Sequence, residues 1–238
     1  MAPGAGRVLS LRAAAAAVLV LLVLLNLAMT RWLEGGWEVV VAAVGTVALL
    51  GLARVAGLSW DELGLGRAAA GRGLRWAAVI VGAVALGYVV VLGLPGLDEV
   101  LVDERTPTTM ADAALEAFVV IPARTVLLEE VAFRGVLWGL LAKASGPRVA
   151  TGVSSLVFGV WHVLPATGFA ASNQAAGDVL GRSAGATAVV VVGTVLVTGV
   201  AGLLLAELRR RSGSLLAPIG LHWAANGLGT LASAFAAR

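Results

Sequence analysis

The chain has 238 residues, 59% of them hydrophobic and only 13% charged. A soluble domain carries about 25% charged residues, so the composition excludes a water-facing globule, and its apolar content excludes disorder. The net charge of +3 would suggest nucleic acid in a soluble protein, but here the basic residues sit mainly in short segments between apolar runs, and membrane topology accounts for them.

About 20 apolar residues at 1.5 Å each cross the ~30 Å of bilayer hydrocarbon. Seven runs reach or approach that length. The first, Ala13 to Thr30, follows Arg7 and Arg12. It is long for a signal-peptide core, has no clear A-x-A site and is followed by further spans, so it reads as an uncleaved anchor. The second runs from about Trp37 to Gly57 and the third from Trp76 to Leu97. The fourth, about Ala117 to Ala142, contains Arg124, Glu129, Glu130 and Arg134. The fifth, about Val149 to Ala171, contains His162, the sixth covers about Ala184 to Ala206, and the seventh, about Ser214 to Ala236, contains His222 and Asn226. The predicted fold is all-α: a polytopic helix bundle of about seven spans, six to eight, forming one membrane domain over 1–238.

Loop charges orient the bundle. With the N-terminus cytoplasmic, eleven basic residues fall on inner segments (Arg7, Arg12, Arg54, Arg67, Arg72, Arg75, Lys143, Arg148, Arg209, Arg210, Arg211). Four fall outside, at Arg31, Arg105, Arg182 and Arg238. Residues 58–75, mixed apolar and basic, read as an interfacial segment on anionic lipid. The outer segment 98–116, with Asp98, Glu99, Asp103, Glu104, Asp112 and Glu116, reads as a solvated loop. Trp32, Trp37, Trp60 and Trp76 lie near span ends, where indoles favour the interface. Gly135 and Gly139, and Gly181 and Gly185, are four apart, a spacing that lets helices approach closely.

The chemistry lies in the polar residues inside the spans. A charge at mid-bilayer costs about 2.5–3.5 kcal/mol on insertion scales, so the four in span four call for compensation on the order of 10 kcal/mol. Glu130 and Arg134 are four apart with the acid first, the favoured order for a helical ion pair. Glu129 points about 100° away and has no partner on its own helix. A desolvated carboxylate of that kind is a candidate general acid or base. The only two histidines, His162 and His222, both fall in spans. His222 and Asn226 are four apart, so both side chains project from one face. If spans four, five and seven pack together, Glu129, Glu130, Arg134, His162, His222 and Asn226 converge on one polar pocket. Asn26 in span one reads as helix–helix glue. Arg124 reads as the partner of an outer carboxylate or as a snorkelling residue. Pro122 and Pro218 bend or start helices near the pocket. With no cysteine in the chain there is no disulfide, thiolate metal site or cysteine nucleophile.

E-E-x-x-x-R at Glu129, Glu130 and Arg134, F-x-x-x-H at Phe158 and His162, and H-x-x-x-N at His222 and Asn226 resemble the three motifs of the CAAX protease and bacteriocin-processing (CPBP or Abi) family. The resemblance covers about residues 110–235. It implies an integral-membrane endopeptidase of the CAAX type or a processor of bacteriocin or other peptides. Carried onto this chain, it implies that Glu129 with His162 activates a water, that His222 and Asn226 stabilise the oxyanion, and that Glu130 and Arg134 support the site. No cofactor is expected; the alternative is a zinc ion on Glu129, His162 and His222, a donor set that suits a catalytic zinc. The implied partners are a peptide or protein substrate, entering from the membrane or the cytoplasmic side, and the lipid bilayer, with no nucleic acid. The compact Ala/Gly/Val-rich chain suggests a prokaryotic plasma membrane. Two other functions stay open: a transporter or proton relay, since intramembrane Glu, His and Arg mark ion pathways, and a non-catalytic immunity or scaffold protein.

Overall fold

The computed structural model of the chain describes residues 10–33, 36–96, 101, 107, 109–172 and 183–238. Among these residues there are seven helices and no strand. Helix α1, Leu11–Leu27, starts at Ser10, whose hydroxyl accepts the Ala13 amide at 3.2 Å, and continues as a wide π turn over Ala28–Trp32. Helix α2 covers Trp37–Val55 and α3 covers Arg67–Gly93. Helix α4 spans 110–145, α5 starts at Pro147, α6 is Ala184–Ser212 and α7 spans 216–236. Helix ends follow the residues that make them. Thr109 caps α4 by accepting the Asp112 amide at 3.1 Å, and Gly146, at a φ of +87° that an L side chain rarely adopts, separates α4 from α5. Pro147 stands at the first position of α5, where no amide partner is needed.

Five helical stretches are long and apolar enough to cross a bilayer: 11–32, 37–55, 67–93, 147–167 and 184–212. The fourth and seventh runs are also helical, but wide turns interrupt them. In α4 the π turns cover Glu116–Val120, Pro122–Val126 and Glu130–Leu137; in α7 one covers Ala224–Leu228. Such turns are rare and concentrate at functional sites. Helix α4 is the axis of the bundle. Its Leu128, Phe133, Val136, Leu137 and Leu140 are buried against Leu22 of α1, Leu49 of α2, Phe158 of α5 and Leu205 of α6. The outward faces carry exposed Val20, Val79, Leu86 and Val197, the surface that a hydrocarbon solvent accepts. The protein is an integral-membrane helical bundle.

Helix α5 is broken at His162, which adopts φ −85° and ψ 0° between Pro147–Trp161 and Val163–Ser172. The cause is Pro165. It has no amide hydrogen for the Trp161 carbonyl, and its ring crowds that carbonyl. Helix α5 packs on α6 at backbone distance: a Cβ on Gly159 would come within 2.8 Å of the Val195 carbonyl oxygen.

Two sequence expectations change. Residues 58–75 are not one continuous strip. Residues 67–75 are the first turns of α3, and 58–66 fold into a compact turn plugged into the end of the bundle, with Leu58 and Leu63 fully buried. The small face at Gly135 and Gly139 admits this turn instead of a helix, since a Cβ on Gly139 would meet Leu58 at 2.7 Å. In the outer segment, Asp112 and Glu116 belong to the first turns of α4. Asp98, Glu99, Asp103, Glu104, Arg7, Arg105, Gly181 and Arg182 lie outside the described residues.

Polar groups stitch the turn 58–66 in place. Ser59 and Glu62 cap each other reciprocally at 2.7 and 3.1 Å, and Lys143 reaches Glu62 at 2.7 Å. Partial burial pushes the Glu62 carboxyl up, but Lys143 and Ser59 together hold it below the usual carboxylate range. Buried Arg209 donates to the Glu62 carbonyl at 2.9 Å and lies over Trp138 at 5.1 Å. The Leu215 amide donates to the Gly64 carbonyl at 2.9 Å. Segments assigned to the cytoplasmic side by charge thus meet at one end of the bundle. Replacing Arg209 with Met leaves the Glu62 carbonyl without its charged donor and lowers stability by about 2 kcal/mol; thermal unfolding in detergent checks this, and an unchanged midpoint contradicts it.

Candidate active site

Glu130 and Arg134 form the expected i, i+4 pair, with Nη1 to Oε1 at 3.0 Å. The pair survives the π turn that begins at Glu130 because both groups sit inside the bundle, 0% and 1% exposed. The same Glu130 Oε1 meets Nδ1 of His222 at 2.8 Å. One carboxylate oxygen therefore ties α4 to itself and to α7. A carboxylate paired with arginine accepts, so His222 Nδ1 carries the hydrogen and Nε2 is turned the other way, toward Glu129 Oε2 at 3.8 Å.

Glu129 lacks a partner on its own helix, as its position predicts, but it is not alone. The indole Nε1 of Trp161 donates to Oε1 at 3.0 Å. Its Oε2 is buried and has no hydrogen-bond partner among the described residues. The two oxygens thus differ: one is held, and the other is free and faces the His222 imidazole.

His162 is half-buried at the break of α5. Its amide bonds the Gly159 carbonyl at 3.1 Å, which frees the Phe158 carbonyl for Nδ1 of the His162 ring at 2.8 Å. A carbonyl can only accept, so Nδ1 holds the hydrogen and Nε2 is left as the basic nitrogen. Phe158 lies among the polar groups. Its ring centroid is 3.9 Å from the Arg134 guanidinium carbon, 4.7 Å from His162 and 6.2 Å from His222. Guanidinium over a ring face is a favourable electrostatic contact, worth about 2 kcal/mol when desolvated. It offsets part of the burial of Arg134, whose Nη2 has no hydrogen-bond partner among the described residues.

Of the six residues expected to converge, four are in mutual reach: Glu129, Glu130, Arg134 and His222. His162 joins them through the Phe158 ring and through its neighbour Trp161, with no direct hydrogen bond to Glu129. Asn226 does not join. It is exposed on the π turn 224–228, its backbone carbonyl accepts from Thr230 at 3.0 Å, and its side chain makes no hydrogen bond among the described residues. The wider turn rotates Asn226 away from the face that a regular helix would share with His222. The Ala225 carbonyl beside it accepts from Tyr88 of α3 at 3.0 Å.

Arg124 pairs with Glu116 at 3.3 Å, the first of the two readings open to it, an outer carboxylate or snorkelling, and Asn26 bridges α1 to α5. The residue that sequence reading missed is Trp161. The signal near it was Pro165, which dictates the break that makes Trp161 the last residue of the helix.

Among the described residues no group of three or more His, Cys, Asp or Glu side chains is arranged to hold a metal ion. Glu129, His162 and His222, the zinc alternative, do not form such a group.

The arrangement defines a class: a polytopic membrane protein with a buried acid–arginine–histidine site between its helices. Residues 112–228 match the family model described as type II CAAX prenyl endopeptidase, Rce1-like, and this segment carries the chain's likeness to that family of CAAX proteases. Neither a search of curated proteins nor one of solved structures returned a significant match.

Glu130→Gln removes the charge that Arg134 and His222 share and leaves a buried guanidinium uncompensated. A loss of about 3–5 kcal/mol is expected, read as a lower unfolding midpoint in detergent; wild-type stability in that variant contradicts the pairing.

Proposed function

We propose that the protein is an intramembrane endopeptidase that hydrolyses a peptide bond with a water activated by Glu129 and His162. The observation that carries this reading is the asymmetry of the Glu129 carboxylate: Trp161 fixes Oε1, while Oε2 is buried, unbonded and directed at His222 Nε2 across 3.8 Å. A carboxylate held on one side with the other oxygen free is a positioned general base.

In this reading Glu129 Oε2 takes a proton from water, with His162 Nε2 as the second acceptor on the water. The resulting hydroxide bonds to the scissile carbonyl carbon, and the carbonyl π electrons move onto oxygen. His222 in its imidazolium form donates from Nε2 to that oxyanion; with Glu129 now protonated, the single positive charge left by Glu130, Arg134 and His222 balances the oxyanion. Asn226, whose carboxamide is free of other hydrogen bonds, is the second donor after rotation of its side chain. As the intermediate collapses, the carbon–nitrogen bond breaks, and Glu129 passes its proton to the leaving amine. Glu130, itself paired with Arg134, holds the His222 ring in its orientation, the role second partners play for many catalytic histidines.

The substrate class follows from the family and the setting: a peptide held at the membrane, either a prenylated CAAX C-terminus or another membrane-bound client such as a bacteriocin precursor. The membrane is the plasma membrane of a prokaryotic cell.

Protein termini in the host's membrane fraction test the reading, with wild type against Glu129→Gln at equal expression. New termini present only with wild type are expected, with kcat/KM on the client so identified lower by about 10²–10⁴ in the variant, the range for losing a general base. Identical termini with both proteins inserted overturn it; a phenotype that survives Glu129→Gln then identifies a scaffold, and a proton flux that the variant abolishes identifies a transporter.

A further inference from the structure

Helix α1 lies outside residues 112–228, the segment that matches the protease family. It nevertheless reaches the site. Trp161 is the last residue before the break in α5, and its carbonyl loses its helical donor because residue 165 is proline. Asn26 of α1 replaces that donor: its Nδ2 bonds the Trp161 carbonyl oxygen at 2.6 Å. Asn26 is 8% exposed, so the bond is made inside the bundle. The amide is oriented from behind by Thr30, whose hydroxyl donates to Asn26 Oδ1 at 3.0 Å and also contacts the Asn26 carbonyl. With Oδ1 accepting from Thr30, Nδ2 is the atom left to meet a carbonyl. At its other end, Trp161 donates its indole hydrogen to Glu129 Oε1.

We propose that Asn26 is a positioning residue for the proteolytic site, acting through Trp161 to hold the Glu129 carboxylate with Oε2 free. The chain Thr30–Asn26–Trp161–Glu129 runs from α1 through α5 to α4. The helix outside the family segment thus belongs to the working site, and the three-helix set of α4, α5 and α7 is incomplete without it. The role assigned to Glu129 rests on the protease reading above; the strut itself rests on the hydrogen bonds.

The test uses the full chain in lipid nanodiscs, with Asn26→Leu, Trp161→Phe, the double variant and Asn26→Gln. Leu matches the shape of Asn and suits a membrane helix, and Phe keeps an aromatic ring while removing the donor. Two readouts are taken on folded protein. The first is kinetics on the client peptide. Asn26→Leu is expected to lower kcat about 10–100-fold with KM within about twofold, the loss that a misplacement of an ångström produces. Trp161→Phe does the same, and the double variant is no slower than Trp161→Phe alone, because the two residues act in series. Asn26→Gln, which restores a donor, recovers most of the rate. Losses that multiply in the double variant, or an unchanged kcat in Asn26→Leu, overturn the proposal. The second readout is the Trp161 indole N–H resonance, assigned by its disappearance in Trp161→Phe. It is expected to shift in both Asn26→Leu and Glu129→Gln. If wild type cleaves no peptide, the protease reading fails, but the resonance still decides: a shift in both variants supports the strut, and an unmoved signal in Asn26→Leu sinks it.

Discussion

A guanidinium and two carboxylates inside hydrocarbon form the constraint on which the rest of the structure depends. Bare, they would not insert; paired, they dictate where helices can go. Glu130 answers for two of its neighbours at once, Arg134 on its own helix and His222 on α7. That double use fixes the register of α7 against α4. Phe158 adds a ring face to the guanidinium and so fixes α5 as well. The polar site is therefore not placed in a finished bundle. It is one of the reasons the bundle has the arrangement it has, since a packing that separated these groups would strand a charge in lipid.

The wide turns serve the same end. Helix α4 has a charged pair, a lone acid and a large apolar core contact all within ten residues, and a regular helix would spread these around its whole circumference. Turns with more residues per revolution shift which side chains line up. In α7 the same device works in the other direction, separating His222, which points inward, from Asn226, which lies at the surface. One histidine is then held by charge and the other, His162, by its own backbone.

Much of this is legible in the sequence because hydrocarbon imposes simple rules. Long apolar runs must be helices, and polar residues inside them must find one another. The Glu130–Arg134 pair, the isolation of Glu129 from its own helix and the bridging role of Asn26 all follow from spacing and from the cost of a stray charge, whereas for Arg124 two readings stayed open. What spacing does not carry is the departure from regular helix. No periodicity announces a π turn, so the face of Asn226 is misjudged by four-residue counting. The break at His162 was written in Pro165, yet its result, an indole turned onto Glu129, needs the direction of a side chain that no pattern supplies. The turn 58–66 reads as amphipathic surface because its buried Leu58 and Leu63 are too few to make a period, and only the glycine face of α4 reveals where they fit.

The contacts around Glu130 also impose an order on assembly in the membrane. Glu130 and Arg134 are neighbours on one helix and can neutralise each other as soon as α4 is made, before any other helix arrives. Glu129 cannot: its indole comes from α5, and the imidazole it faces comes from α7. A nascent chain halted after α4 would hold a neutral pair and one unclaimed acid. The site is thus completed only when α7 docks, and a chain synthesised only as far as α4 has the ion pair without the reactive geometry.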